Sequence, residues 1–157
     1  MGPDTLVTIY TDGGASPNPG LGGWAAVLRS PAHDAERELW GAEADTTNNR
    51  MELTAAIRAL RALKRPCRVD LHTDSTYLRN AFEQGWLMRW SKHGWRTASK
   101  EPVQNRDLWE ELWNLTRVHA VSWHWVKGHA DDALNNRCDA LVRRARDEFA
   151  RRAGKQG

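Results

Sequence analysis

Residues 9–28 read I-Y-T-D-G-G-A-S-P-N-P-G-L-G-G-W-A-A-V-L, two apolar runs joined by a loop rich in glycine and proline. Alternation of apolar and polar residues predicts a β-strand over residues 6–11, and the second run predicts a hairpin partner over residues 23–29. No Gly-Lys-Ser or Gly-Lys-Thr follows the loop, which argues against the phosphate-binding loop of nucleotide hydrolases. Asp12 therefore stands out as a carboxylate at the end of the first strand. The glycines after it allow backbone and substrate to approach closely.

The rest of the chain predicts a mixed sheet flanked by helices. Further strands are expected over residues 36–42, 67–73 and 120–126, from their apolar and β-branched content. Helical spacing of apolar residues predicts helices over residues 46–63, 75–80, 105–117 and from 134 onward. The order β-β-β-α-β-α-α-β-α indicates an α/β (α+β) fold with a five-stranded mixed sheet.

Composition predicts one ordinary globular domain. The chain has 157 residues and a formal net charge of +3, which is only weak evidence for an anionic partner. We expect a single domain over residues 1–157, with its core at about 5–150 and a frayed tail at 151–157. Two cysteines without metal-site spacing, no signal peptide and no apolar run of membrane length predict a cytoplasmic protein with no membrane partner. We also expect a monomer.

Four carboxylates are candidates for chemistry. Asp12 and Asp74 each follow a predicted strand, and if those strands are parallel neighbours both acids reach the same edge of the sheet. Glu52 borders the apolar stripe of the first long helix, and Asp139 follows a stripe residue of the last helix. The alternatives are turn or cap roles for the first three acids and an ion pair between Asp139 and Arg143.

A cluster of these acids predicts a metal site. Carboxylates held together repel one another unless a cation joins them, and oxygen ligands select Mg²⁺ or Mn²⁺ over Zn²⁺. Such a site is the setting of two-metal phosphoryl chemistry.

Several motifs, in a fixed order along the chain, resemble those of a known family. They are T-D-G-G-A-S-P-N-P-G, T-N-N-R-M-E-L-T-A-A, T-D-S-T-Y, W-V-K-G-H-A and N-N-R-C-D, spread in order over residues 8–143. Together they resemble the ribonuclease H type 1 family, in its bacterial form with a basic handle. The resemblance implies a ribonuclease H-like fold and endonucleolytic cleavage of the RNA strand of an RNA–DNA hybrid. It also implies two Mg²⁺ ions per site, with Mn²⁺ as a substitute, and products with 5′-phosphate and 3′-hydroxyl ends.

The family pattern assigns roles to individual residues near the chemistry. The metal-binding acids it implies are Asp12, Glu52, Asp74 and Asp139. His129 matches the family's mobile-loop histidine, which shuttles protons or aids product release; the alternative is an exposed loop histidine. Asp131 and Asp132 depart from the pattern. They either pull on the metal ions or cap the last helix, and capping is favoured.

The resemblance also assigns substrate contacts. The minor-groove residues are Asn18, Asn48, Asn49 and Thr76, and Asn135 is a further substrate-binding residue. Thr76 stands where the family frequently has glutamine, which puts one substrate hydrogen bond in doubt. Asn18 lies between two prolines and would serve a turn in any case. Thr47 and Asn105 match a small pocket that holds a DNA phosphate.

A basic segment at about residues 84–100 matches the family's handle. It contains Arg89, Lys92, Arg96 and Lys100 and no acid, so it favours salt-dependent binding of phosphates. The resemblance implies that Trp86 and Trp90 contact the DNA strand and that Trp95 belongs to the core.

Two other readings compete with the hybrid-cleaving enzyme. A non-catalytic module that binds hybrid or RNA would keep the fold but need not keep all four acids, which are present here. An integrase or transposase would share the fold, but those proteins lack the T-N-N-R-M-E-L segment and the tryptophan-rich handle.

Overall fold

The structure is a computed structural model that describes residues 5–126 and 133–156. Its strands are β1 (Leu6–Ala15), β2 (Gly20–Ser30), β3 (Ala35–Thr46), β4 (Arg68–Thr73) and β5 (Ala120–Trp125). Its α-helices are α1 (Asn48–Arg61), α2 (Thr76–Glu83), α3 (Trp86–Lys92), α4 (Arg106–Val118) and α5 (Ala133–Gln156). A short 3₁₀ turn (Pro31–His33) joins β2 to β3.

The five strands form one mixed sheet in the order β3-β2-β1-β4-β5. β2 is antiparallel to both β1 and β3, whereas β4 is parallel to both β1 and β5. The predicted five-stranded mixed sheet is therefore confirmed. Leu6 pairs with Arg68 and Tyr10 with His72, so each β1 residue lies beside the β4 residue 62 positions later. Asp12 and Asp74 are separated by the same number of positions, and this register brings them to one edge of the sheet.

Two elements differ from the prediction. β1 continues to Ala15, so Asp12 lies inside the strand and pairs with Ala25, because the glycines after it take part in the hairpin ladder. α3 is a helix that the predicted order lacks; its buried Leu87 is flanked by tryptophans that obscure a helical period. α5 extends to Gln156, because arginine and alanine favour helix, and the fraying of residues 151–157 stays a prediction.

The core lies mainly between the sheet and helices α1 and α4. α1 is buried along nearly its whole length, and Trp109 of α4 is fully buried with it. α5 covers the opposite face of the sheet through Cys138, Leu141 and Val142. Side-chain oxygens of Thr47 and Ser75 accept hydrogen bonds from the first turns of α1 and α2, which fixes where these helices begin beside the sheet. Within the described ranges, no helix is both long and apolar enough to cross a membrane.

Candidate active site

Three of the four candidate acids converge at the carboxyl end of β4. Asp12 on β1, Glu52 on α1 and Asp74 just after β4 each place a carboxylate oxygen within 4.8 Å of the others. The β1–β4 register aligns the two aspartates, and the second turn of α1 brings Glu52 to them from one side of the sheet. The sequence interpretation of these three acids as neighbours agrees with the structure. Their binding of metal stays a prediction.

Gly13 determines how closely Glu52 approaches. A Cβ atom at Gly13 would lie 2.5 Å from the Met51 carbonyl carbon and 2.7 Å from the Glu52 nitrogen. These neighbours are backbone atoms, so no side-chain rotation could relieve the clash. The sequence suggested that the glycines admit substrate; at Gly13 the absent side chain instead admits the backbone of α1.

The acid cluster carries more negative charge than its surroundings neutralise. Burial, then the charge of Asp74, raises the pKa of Asp12 to about 7, and burial also raises the pKa of Glu52 well above its ordinary value. The pKa of Asp74 is raised as well, chiefly by burial. The Glu52 Oε2 atom is buried and has no hydrogen-bond partner within the described part of the chain. A buried carboxylate oxygen without a partner is costly, so this set of oxygens fits a hard divalent cation.

The raised pKa values predict how pH changes the stability of the metal-free protein. Asp12 ordinarily has a pKa of 3.8, and in the folded state its pKa is about 7. Between these values the folded state holds a proton that the unfolded state has lost, so the free energy of unfolding falls as pH rises. In EDTA, we therefore expect the melting temperature to decrease as pH rises from about 4 to about 7. Addition of Mg²⁺ at pH 7.5 should raise the melting temperature again.

Variants isolate this contribution in thermal melts. Asp12→Asn should remove much of the pH dependence and of the Mg²⁺ effect, whereas Asp147→Asn, an exposed acid of α5, should keep both. An Asp12→Asn protein with the wild-type pH slope and Mg²⁺ response would show that this site does not bind the cation.

Asp139 lies near the cluster but is held differently. Its Oδ2 atom accepts a hydrogen bond from Arg143 at 2.5 Å, the ion pair that the sequence left open as an alternative. Its negative charge still contributes to raising the pKa values of Asp12 and Asp74. Asn135, one turn earlier on α5, is buried. The metal role of Asp139 and the substrate role of Asn135 stay predictions, and His129, Asp131 and Asp132 lie outside the described residues.

The predicted minor-groove asparagines connect the hairpin loop to α1. Asn18 Oδ1 accepts a hydrogen bond from the Asn48 backbone N–H at 3.0 Å, and Asn48 Oδ1 accepts one from the Ala15 N–H at 2.7 Å. Each side-chain oxygen is thus used within the protein, which leaves the amide N–H groups as donors for a substrate. Asn49 and Thr76 are exposed nearby at the starts of α1 and α2. Their contacts with substrate stay predictions.

Thr47 and Asn105 meet around an arginine that the sequence analysis missed. Arg50 donates its backbone N–H to Thr47 Oγ1 and its Nη1 to Asn105 Oδ1 at 3.1 Å. The same guanidinium bonds to both carboxylate oxygens of Asp107, and Asn105 also donates to the Tyr77 hydroxyl. A cation in the first turn of a helix opposes the helix dipole, and this was the available signal for Arg50.

The handle contains α3 and the turn that follows it. Ring centroids of Trp86 and Trp90 lie 5.7 Å apart, and those of Trp90 and Trp95 lie 6.5 Å apart. All three rings are partly buried against the core. The sequence predicted that Trp95 alone belongs to the core, but burial does not distinguish Trp95 from Trp86 and Trp90. A groove of about 930 Å³ is lined by Trp86, Arg89, Trp90, His93, Arg96, Thr97, Ala98 and Lys100. The handle therefore offers aromatic and cationic surface together.

Sequence comparison agrees with this geometry. The family model described as RNase H matches residues 4–147. The chain belongs to the ribonuclease H family. It is 60% identical over 139 residues to the Ribonuclease H of Moorella thermoacetica, covering 88% of this chain and 90% of that protein. It is 58% identical over 142 residues to that of Chlorobaculum parvum, covering 90% and 96%. The predictions of the family and of a ribonuclease H enzyme are confirmed.

Solved ribonuclease H structures have the same fold. LC9-RNase H1, a type 1 RNase H with the type 2 active-site motif, superposes with a TM-score of 0.80 at 32% identity, covering 94% of this chain and 75% of that one. LC11-RNase H1, solved in complex with RNA/DNA hybrid, gives a TM-score of 0.66 at 23% identity, covering 92% and 99%. At that identity the second structure supports the fold alone. The predicted ribonuclease H-like fold class is confirmed.

Proposed function

We propose that this ribonuclease H family enzyme is an endonuclease that hydrolyses the RNA strand of RNA–DNA hybrids. The proposed reaction is two-metal-ion hydrolysis that leaves 5′-phosphate and 3′-hydroxyl ends. The observation that carries the proposal is the convergence of Asp12, Glu52 and Asp74, with a buried Glu52 oxygen that lacks a partner among the described residues. Family membership supports the choice of substrate.

The proposed roles follow from how each side chain is held. Mg²⁺ ions bound here would lower the pKa of an attacking water and stabilise the departing 3′ oxygen, and Mn²⁺ could substitute. Asp12, Glu52 and Asp74 would hold the cations from three separate elements. Asp139 would add a fourth carboxylate, and its hydrogen bond with Arg143 would compete for the same oxygen. His129 is proposed as an auxiliary acid or base.

Hybrid recognition would use two surfaces in addition to the acid cluster. Donors of Asn18, Asn48 and Asn49 would read 2′-hydroxyl groups across the wide minor groove. The cations and tryptophans of the handle would contact the DNA strand through phosphates and sugar faces. We also infer a single domain and a cytoplasmic monomer, which agrees with two buried free cysteines.

The decisive experiment compares three duplexes. Hybrid, RNA duplex and DNA duplex of one sequence are incubated with the protein in Mg²⁺ or in EDTA, and the products are resolved on denaturing gels. Cleavage of only the RNA strand of the hybrid, and only with metal, is expected. Binding of hybrid without cleavage in Mg²⁺ would contradict the proposal and leave the non-catalytic binding module as the better reading.

Loss of the handle cations is expected to weaken substrate binding rather than the chemical step. In the triple variant Arg89→Gln, Lys92→Gln, Arg96→Gln, KM should rise while kcat stays near the wild-type value. Each lost phosphate contact should flatten the slope of log KM against log salt concentration by about 0.9. The measurement is steady-state hybrid cleavage at several salt concentrations.

A matched variant controls for net charge. Lys64, Arg68 and Arg117 are exposed at the opposite end of the sheet, where β4 begins. Their replacement by glutamine removes the same charge and should leave KM and the salt slope nearly unchanged. Equal effects from both triple variants would show that the handle has no specific contact with substrate.

A further inference from the structure

Arginines on α5 differ in whether they have a hydrogen-bond or ion-pair partner. Arg143 bonds to Asp139, and Arg144 bonds to Glu148 at 3.0 Å. Arg146 is half-buried and makes no hydrogen bond or ion pair within residues 5–126 and 133–156. A guanidinium carries five N–H donors, so a partly buried one without an acceptor is available to a ligand.

Two paired glycines bring Arg146 to the rim of the active site. Gly14 of β1 and Gly23 of β2 are opposite each other in the hairpin. The Arg146 Cγ atom lies 3.2 Å from where a Cβ of Gly23 would be, and its Nη1 atom lies 3.8 Å from where a Cβ of Gly14 would be. The side chain therefore crosses the hairpin above two residues that have no side chains of their own.

The end of this side chain lies close enough to the acid cluster to act on Asp12. Gly14 follows Asp12 by two positions, and Asn48 Oδ1 lies 3.6 Å from the same Cβ position of Gly14. The pKa of Asp12 is raised mainly by burial and by Asp74, and the positive charge of Arg146 acts against that rise. Arg146 therefore lies near both an acid proposed for chemistry and the asparagine proposed for the minor groove.

We propose that Arg146 binds a phosphate of the RNA strand next to the acid cluster, as an anion site separate from the handle. The inference rests on the proposed function. The three clustered carboxylates repel an approaching phosphate, and a neighbouring cation offsets that repulsion. The planar fork of arginine matches two phosphate oxygens at once, which a single ammonium group cannot do.

Charge-matched variants on one helix test the proposal. Arg146→Gln is expected to raise KM for hybrid cleavage about tenfold, the scale of one lost charge-assisted hydrogen-bonded pair. The slope of log KM against log salt concentration should flatten by about 0.9, because one phosphate contact is lost. Arg144→Gln removes the same charge two residues away and should change neither quantity. Arg146→Lys keeps the charge without the fork and should fall between wild type and Arg146→Gln.

A binding measurement separates this inference from the proposed function. Fluorescence anisotropy of labelled hybrid in EDTA reports affinity without catalysis, and Arg146→Gln should weaken it relative to Arg144→Gln. Melting temperatures establish whether each variant is folded. If Arg146→Gln is not folded, the comparison is made with Arg146→Lys instead.

The inference fails if Arg146→Gln matches Arg144→Gln in KM, salt slope and affinity. It also fails if Arg146→Gln only shifts the pH dependence of kcat, since Arg146 would then act on Asp12 alone. Failure of the proposed function would be seen separately, as a wild-type protein that does not cleave hybrid.

Discussion

Asp12→Asn is expected to lower kcat for hybrid cleavage by at least about 10³-fold, since losing even one transition-state-stabilising donor costs 10²–10³. The carboxylate oxygens of Asp12, Glu52 and Asp74 lie within 4.8 Å of one another, so the loss of Asp12 removes one of three charges available to a cation. Asparagine has nearly the same size and leaves the β1–β2 ladder intact, because that ladder uses only backbone atoms. Hybrid affinity in EDTA should stay equal or rise, since one negative charge beside the phosphates is removed.

Single-turnover cleavage and anisotropy together measure this result. Asp147→Asn makes the same chemical change on an exposed turn of α5 and should behave as wild type in both assays. If Asp12→Asn retained more than about a tenth of the wild-type rate, the carboxylate could not be a required metal ligand, because such a loss is far below the 10²–10³ scale above.

Gly13→Ala is expected to damage stability and catalysis together. The added methyl group would meet the backbone of Met51 and Glu52 at 2.5–2.7 Å, so α1 must move away from β1. Overpacking of this kind typically costs about 1–3 kcal/mol in the free energy of unfolding. The same movement carries Glu52 away from Asp12 and Asp74, and kcat should fall by about 10²-fold, the scale of a catalytic group displaced by about 1 Å.

Gly14→Ala is the matched control on the adjacent residue. A methyl group at Gly14 would meet its nearest neighbours at 3.6 Å and 3.8 Å, which is ordinary contact. Urea unfolding and single-turnover rates should therefore show a small effect at Gly14 and a large one at Gly13. Equal effects at the two positions would mean that a general loss of glycine flexibility, and not the approach of α1, explains both.

Local patterns in the sequence predicted most of the fold. Alternation in residues 6–11 and helical spacing after residue 46 are strong periodic signals, and β1 and α1 follow them. The end of β1 was missed because glycine ordinarily marks a loop, whereas here Gly13 and Gly14 remain in the ladder. α3 was missed because tryptophans near its buried Leu87 obscure the helical period.

For the candidate site too, the sequence predicted some residues and missed others. Asp12 and Asp74 were found because each follows a run of residues with a clear strand pattern, and Glu52 was found because it borders a helical stripe. Arg50 and Arg146 were missed because their surroundings come from distant parts of the chain. Arg50 meets Asn105 across 55 positions, and Arg146 lies above a hairpin at residues 14 and 23. Such contacts depend on how helices pack on the sheet, which spacing along the chain does not report.

The parallel register of β1 and β4 restricts where this chain can change length. Side chains alternate between the two faces of a strand, so removing one residue of β4 before Asp74 would turn that aspartate to the opposite face. Deletion of one residue from the turn between β2 and β3, at Pro31–His33, does not change the register between β1 and β4. We therefore expect insertions and deletions to be tolerated in the turn between β2 and β3. In the strands that lead to Asp12 and Asp74, the number of residues must stay constant.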